Sequence, residues 1–340
     1  MWAHGRGRAW YADHGGATMA GMTEEGATRE APAPTHELTL EAVDEELEKL
    51  ARPATNAGQG LWLLGLSAAL YVSVGVVRDQ PWVFVLVLLA VLGLHELGHL
   101  AAMRAFGFRD LRMFFIPLFG AGAMGRKLDA TGTQRAIVAL AGPVPGIVLA
   151  LALIFALRPI ESEVLDLFLG LTLVLNFFNL VPLLPFDGGR LVHIVLFSRW
   201  PGGELMFRLI AALLLAWLAM WRESVVIGMV AAFMALGAGW NAKVAQLGHR
   251  LRARVAAPLP LSVLETPAAA RTAAIEDTIT TMGLSRYSPQ LARNVAVFMT
   301  RGWERALDTP PGLVASAVLL TIHVAFVGLG IFMFRALQQA

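Results

Sequence analysis

His95, Glu96, Leu97, Gly98 and His99 spell HELGH inside an apolar run that extends from Pro81 to Gly107. On a helix, residues four apart share a face. The two imidazoles can therefore offer ring nitrogens to one metal ion, with Glu96 beside them and within reach of a metal-bound water. This is the arrangement by which zinc hydrolases work, the carboxylate serving as general base. Zinc lowers the pKa of its water toward about 7. The chain has no cysteine, so a zinc ion must rest on histidine and carboxylate. A charge at mid-bilayer costs about 2.5–3.5 kcal/mol on insertion scales, so such groups usually face a functional interior. The plainer alternative is three polar groups hydrogen-bonded to neighbouring helices.

A catalytic zinc usually has three protein ligands and a water. The best candidate for the third is Asp187, in LNFFNLVPLLPFDGGR (residues 175–190). Pro182 and Pro185 break the helix before it, which allows a carboxylate to turn inward. The competing reading is an ordinary Asp-Gly turn. In the same stretch, the Asn179 amide can donate to a developing oxyanion or position a substrate, or it can tie the broken helix to a neighbour. Asn176 reads as structural. His193 and His323 read as histidines hydrogen-bonded within a bundle.

The elements that must hold these groups are membrane spans. The 340 residues are 56% hydrophobic and 15% charged, against about half and a quarter in soluble domains, and the mean hydropathy is +0.61. Apolar blocks of about 20 residues suit helices that cross a bilayer. The expectation is an all-α polytopic membrane protein, a bundle of about seven transmembrane helices. The spans fall near 59–77, 82–105, 134–157, 164–184, 204–221, 224–243 and 312–335, within a core of residues 57–245. The apolar stretch 190–199 is too short to cross and reads as buried or interfacial. Residues 1–34, rich in Gly, Ala and Pro with no apolar h-region, are expected to form a disordered tail. Residues 35–56 contain an amphipathic cytoplasmic helix, with Leu40, Val43, Leu47 and Leu50 at helical spacing. Residues 246–311 form a small cytoplasmic helical segment. Its two helices, about 267–283 and 289–307, are expected to be capped by Thr266-Pro267 and Ser288-Pro289. Residues 312–340 carry the last span.

Arginine and lysine in the short loops set orientation. Arg104, Arg109, Arg112, Arg126, Lys127 and Arg135 follow the second span, whereas RPIESEVLD after the third is mostly acidic. The N-terminus and the HELGH end therefore read as cytoplasmic, in an inner membrane of a bacterial cell. The pI near 9.3 reflects these flanking arginines, and nothing points to nucleic acid. Between the second and third spans, FGFRDLRMFFIPLFGAGAMGR is too apolar for an ordinary loop and too rich in Gly, aromatic and β-branched residues for a helix. It reads as short strands, tolerated at membrane depth where protein shields them or a wet cavity opens. Such a segment can hold a substrate by strand addition, with Phe119, Gly120 and Gly122 as the candidate contacts.

HELGH in one span, followed by NLVPLLPFDGG at the end of a later one, resembles the site-2 protease family of intramembrane zinc metalloproteases (peptidase family M50). The match rests on His95, Glu96 and His99 with Asn179, Pro182, Asp187 and Gly188, and AGPVPGI in the third span is similar to the family's small-residue core helix. One departure is Gly146, at a place after Gly142-Pro143 where many members carry Asn. The resemblance implies one Zn2+ per chain held by His95, His99 and Asp187, with Glu96 catalytic. It further implies cleavage of single-span membrane proteins, such as membrane-anchored regulators, with the lipid bilayer as solvent and a homo-oligomer allowed. Two other readings share parts of this pattern. A zinc transporter would need several polar sites along a path, and a helix-binding scaffold would have no use for Glu96.

Overall fold

The computed structural model describes residues 38–51, 57–77, 81–117, 120–156, 161–255, 258–286, 288 and 290–339. The tail 1–34 lies outside them. Twelve α-helices and one two-stranded sheet are described, and they divide between an apolar helical core and a polar helical module.

In the core, α2 (Ala57–Val77) and α3 (Trp82–Ala105) are followed by strands β1 (Arg109–Ile116) and β2 (Gly120–Arg126). Next come α4 (Gly132–Ala141) and α5 (Pro143–Ala156), which together make one apolar length interrupted at Gly142-Pro143. Then follow α6 (Glu163–Asn179), the short α7 (Asp187–Val192), α8 (Pro201–Trp221), α9 (Val225–Arg254) and, after the module, α12 (Leu313–Gln339). Among the described residues, five lengths are long and apolar enough to cross a membrane: 82–105, 132–156, 202–221, 225–254 and 313–335. The expected seven are not reached. Helix α2 offers only a shorter apolar length, Trp62–Gly75. Helix α6 stops at Asn179, not at residue 184, because the Pro182 ring would clash with a carbonyl four residues back. Its 17 residues span about 25 Å, short of the roughly 30 Å of hydrocarbon. Phe233, Leu236, Leu313 and Val314 are each at least 80% exposed, as side chains that face lipid would be.

The strand-like segment is an antiparallel hairpin, with Phe114 opposite Gly122 and Ile116 opposite Gly120. Strand β1 lies along α2, where the Phe115 N–H donates to Ser67 Oγ at 3.0 Å and the rings of Tyr71 and Phe115 meet edge to face. Strand β2 lies along α3. Among the described residues, its outward backbone edge has no further backbone partner.

The polar module comprises α1 (Leu40–Ala51), the far end of α9, α10 (Ala268–Met282) and α11 (Leu291–Leu307). Val43 and Leu47 are buried against Leu247, Leu251, Val295, Met299 and Trp303. At about 1.5–3 kcal/mol per fully buried aliphatic side chain, those two alone account for much of the docking of α1. The amphipathic helix therefore buries its stripe in protein rather than lipid. Arg271 adds a two-pronged bond to Asp44, at 3.0 and 2.8 Å. The expected caps differ by a residue or two. Pro267 is the N-cap of α10, and the Thr266 hydroxyl donates back to Val263 O at 2.6 Å. Gln290 is the N-cap of α11, while Ser288 Oγ accepts from the Gln290 N–H.

Candidate metal centre

Helix α3 buries Val87, Val91, His95, His99 and Met103 at strict four-residue intervals. One apolar stripe thus turns two imidazoles into the protein interior, and Glu96 is buried on its flank. The close approach of the next element is set by glycine. A Cβ on Gly98 would lie 2.0 Å from the Ala141 carbonyl oxygen, and one on Gly142 would lie 2.3 Å from His99 Nε2 and 2.9 Å from His95 Nε2. The α4–α5 junction therefore rests directly against the two histidines.

The carboxylate arrives from the other side. After α6 ends, residues 180–186 fold into tight turns and α7 begins at Asp187. Asp187 is thus the first residue of a helix, and the Asp-Gly turn reading does not hold. Gly188 and Gly189 are required because an added Cβ would lie 2.2 Å from Leu180 O or Leu183 C. The turn packs on the first turn of α7 and presses Asp187 inward. Its Oδ2 lies 3.0 Å from His95 Nε2 and 3.2 Å from His99 Nε2, and the two Nε2 atoms are 3.1 Å apart. All three residues are buried.

The outer partners of the rings decide what this triangle can hold. Asn176 Nδ2 donates to Thr172 O at 2.7 Å, which orients the amide and turns Oδ1 toward His95 Nδ1 at 2.8 Å. His95 must then donate from Nδ1. His99 Nδ1 likewise donates to the Val138 carbonyl at 2.7 Å. In the neutral imidazole the other nitrogen is an acceptor, so two nitrogen lone pairs and a carboxylate oxygen converge with no proton between them. Such a set is repulsive until a cation occupies its centre. Three corners of a tetrahedron around zinc are about 3.3–3.6 Å apart at ordinary bond lengths, a few tenths of an ångström wider than the observed edges. The donor set therefore fits zinc, with both rings held by outer-shell acceptors as metal-binding histidines usually are. Arg190 Nη1 lies 3.5 Å from the remaining oxygen, Asp187 Oδ1.

Asn176, expected to be structural, has its Oδ1 against His95 Nδ1. Its spacing from Thr172, one turn apart on the buried face of α6, was the available signal. Gly146 has the matching explanation, since a Cβ there would lie 2.5 Å from Asn176 Nδ2. Asn179 is half-buried and donates to Leu175 O at 3.1 Å on its own helix. His193 Nε2 faces Glu204 at 3.4 Å, and His323 Nδ1 is buried without a hydrogen-bond partner among the described residues. Phe119 lies outside the described residues. Gly122 is covered by the Phe114 ring, 3.1 Å from where a Cβ would stand, and Gly120 has a φ of 111° at the start of β2.

A helical membrane protein with a buried His-His-carboxylate centre and an adjacent glutamate is the class that fold and site define. Residues 83–162, which include HELGH and the Gly142-Pro143 junction, match the model of peptidase family M50. The chain is 30% identical over 118 residues to stage IV sporulation protein FB of Bacillus subtilis, covering 34% of this chain and 41% of that one. It is 26% identical over 181 residues to a zinc metalloprotease of Methanocaldococcus jannaschii, covering 48% and 50%. The chain thus spans half or less of the length of these curated relatives. Among solved structures it is similar to the site-2 protease from Methanocaldococcus jannaschii, with 21% identity, coverage of 52% of this chain and 86% of that one, and a TM-score of 0.40.

Proposed function

We propose that this chain is an intramembrane zinc endopeptidase that cleaves transmembrane segments of single-span membrane proteins, membrane-anchored regulators among them. The observation that carries the reading is the convergence of His95 Nε2, His99 Nε2 and Asp187 Oδ2, beside a buried carboxyl that none of them uses. When bound, one zinc ion supplies a Lewis acid that acidifies water toward neutral pH and polarises a carbonyl.

Glu96 takes the proton from the attacking water and passes it to the leaving amine. Asn176 and the Val138 carbonyl keep the rings in the ligating tautomer. Asn179 serves as the donor to the oxyanion, which requires its amide to leave Leu175 O when substrate enters. A helical substrate hides its carbonyls in its own hydrogen bonds, so it must unwind before reaction. The unpaired outer edge of β2 offers a partner for the unwound strand, with Gly120 and Gly122 near its start. In this reading the N-terminus, the polar module and the zinc end of the bundle lie on the cytoplasmic side of an inner membrane, which the arginine-rich loops support.

The test is co-expression with a single-span candidate substrate. Glu96→Gln should abolish cleavage while the purified variant keeps its zinc. His95→Ala and Asp187→Ala should lose both. Cleavage by Glu96→Gln at the wild-type rate would remove Glu96 as the base. Zinc retained by both ligand variants would remove the ligand set.

A further inference from the structure

A second polar cluster lies where three apolar helices end. Five arginines, at 135, 199, 208, 252 and 305, gather around two carboxylates, Glu204 and Asp308. Glu204 is buried and is shared by Arg208 at 3.4 Å, by Arg305 and by His193. Asp308 is shared by Arg305 at 2.7 Å and by Arg135. Arg252 donates instead to the backbone carbonyls of Ala306 and Asp308. Arg199 donates to Val195 O at 3.3 Å, Pro311 O at 3.0 Å and Ser316 Oγ at 3.2 Å. Carbonyls fix a guanidinium in place but do not neutralise it. Among the described residues the cluster therefore keeps an excess of three positive charges. Much of it is withdrawn from water, since the side chains of Arg135, Arg208 and Arg305 are at most 25% exposed.

A cavity of about 150 Å³ is lined by Ser198, Arg199, His249, Arg252, Arg305 and Asp308, so three of the five arginines and one of the two carboxylates reach it. Two of the lining arginines, Arg199 and Arg252, are held by neutral acceptors and have no carboxylate partner among the described residues, an arrangement that suits a planar or tetrahedral oxyanion. The cavity lies next to the start of α8 and the start of α12. Trp200 beside it is half exposed, and Leu313 and Val314 at the start of α12 are almost fully exposed. Aromatic and apolar surface next to fixed arginines suits the boundary between headgroups and acyl chains.

We propose that this cavity is a phosphate-binding site, separate from the metal centre, that takes the headgroup phosphate of an anionic phospholipid. A free phosphate group presents the same oxygens, so the experiment has two arms. In the first, the full chain in detergent is mixed with phosphatidylglycerol or phosphatidylcholine of matched acyl chains, and retained lipid is counted by native mass spectrometry. In the second, lipid-free protein is heated with and without millimolar inorganic phosphate.

Wild type should retain phosphatidylglycerol about tenfold better than phosphatidylcholine, the equivalent of one additional charge-assisted bond. Ser198→Asp adds a carboxylate to the cavity wall without removing any arginine contact, and should cut that preference to about twofold or less. Arg199→Gln should do the same, while Arg301→Gln on the exposed face of α11 should not. Stabilisation by inorganic phosphate that Ser198→Asp removes, without any lipid preference, would support the site and assign it to a soluble phosphate. Wild type showing neither lipid preference nor stabilisation by phosphate would overturn the proposal. So would a Ser198→Asp variant that behaves as wild type in both arms.

Discussion

Replacing Asn176 by leucine tests the metal centre without touching any of the three donor residues. Leucine has nearly the same volume and keeps α6 helical, but it removes the acceptor 2.8 Å from His95 Nδ1. Both partners are buried, Asn176 at 1% and His95 at 4% exposure, so no bulk water replaces the lost bond. The imidazole then has two options. It keeps the proton on Nδ1 without a partner, at about 1–3 kcal/mol for a buried unsatisfied donor. Alternatively it moves the proton to Nε2, and the nitrogen that faces Asp187 and His99 can no longer ligate. Either way the cost falls on the metal-bound state, which needs the Nδ1–H tautomer. A loss of 1–3 kcal/mol corresponds to about 5- to 150-fold in affinity, matching the roughly 10–100-fold typical of outer-shell substitutions at metal sites.

The assay is competition between purified protein in detergent and a chromophoric zinc chelator, read as the chelator concentration that removes half the metal. Asn179→Leu is the matched control: among the described residues the Asn179 side chain bonds only to Leu175 O on its own helix, so the substitution should leave zinc affinity within about twofold, the scatter of a substitution away from the site. The thermal midpoint of each apo protein separates loss of fold from loss of metal. Zinc held by Asn176→Leu as tightly as by wild type, in a folded protein, would refute the reasoning from tautomer to ligand. Asn176→Asp distinguishes further. It keeps an acceptor for His95 but places a charge against Thr172 O where the Nδ2 donor stood. It should therefore retain more zinc than leucine while lowering the thermal midpoint.

Other expectations follow from the same geometry. Gly142→Ala puts a methyl 2.3 Å from His99 Nε2; relieving it moves a ring or the backbone by about 1 Å, enough to cost about 10²-fold in activity, and zinc content should fall with it. Gly98→Ala forces α3 from the Ala141 carbonyl and should impair accumulation of folded protein, which a fluorescence-detected size-exclusion profile would reveal. Asp44→Ala removes the two-pronged partner of Arg271 and should raise proteolytic cutting near α1 without changing zinc content. Substitution of Gly122 by Val opposes the Phe114 ring; a hairpin that still forms, as judged by unchanged stability, with cleavage intact would argue against β2 as the substrate strand.

What the residue sequence disclosed, and what it withheld, follow from the range of the interactions. The pairing of His95 with His99 is local, one helical turn, and periodicity alone gives it. Asp187 was visible through the prolines and glycines around it, because a helix break and close backbone packing leave compositional marks. The hairpin was visible as glycine and aromatic residues where a span-to-span loop should be polar, though its strand limits depend on pairing. Asn176 was not visible as an imidazole partner. Its bond to His95 joins residues 81 positions apart, and an Asn in an apolar helix reads the same whether it ties two helices or orients a ligand. The end of the fourth span was misread for a related reason. Hydropathy runs on through Leu180, Val181, Leu183 and Leu184, whereas the helix is ended by proline sterics at Asn179.

The two polar centres of this protein illustrate opposite solutions to burying charge. At the metal centre, each ring nitrogen not facing the centre has a neutral acceptor, and the negative charge of Asp187 turns inward to the two lone pairs; the set is complete only with a cation. At the arginine cluster, two carboxylates pair with three guanidiniums and neutral acceptors hold the other two; that set is complete only with an anion. Buried, fixed and uncompensated groups are costly unless a ligand removes the imbalance, so the sign of each imbalance specifies its ligand. The two centres also share structural elements. Helix α7, which begins at Asp187, runs on through a π-helical turn (His193–Phe197) into Ser198 and Arg199 of the second cavity. A phosphate bound there would fix the far end of the element that carries the carboxylate. If so, zinc affinity measured in phosphatidylglycerol should exceed that in phosphatidylcholine, and Ser198→Asp should erase the difference. Equal zinc affinity in both lipids, with the lipid preference itself intact, would separate the two centres energetically.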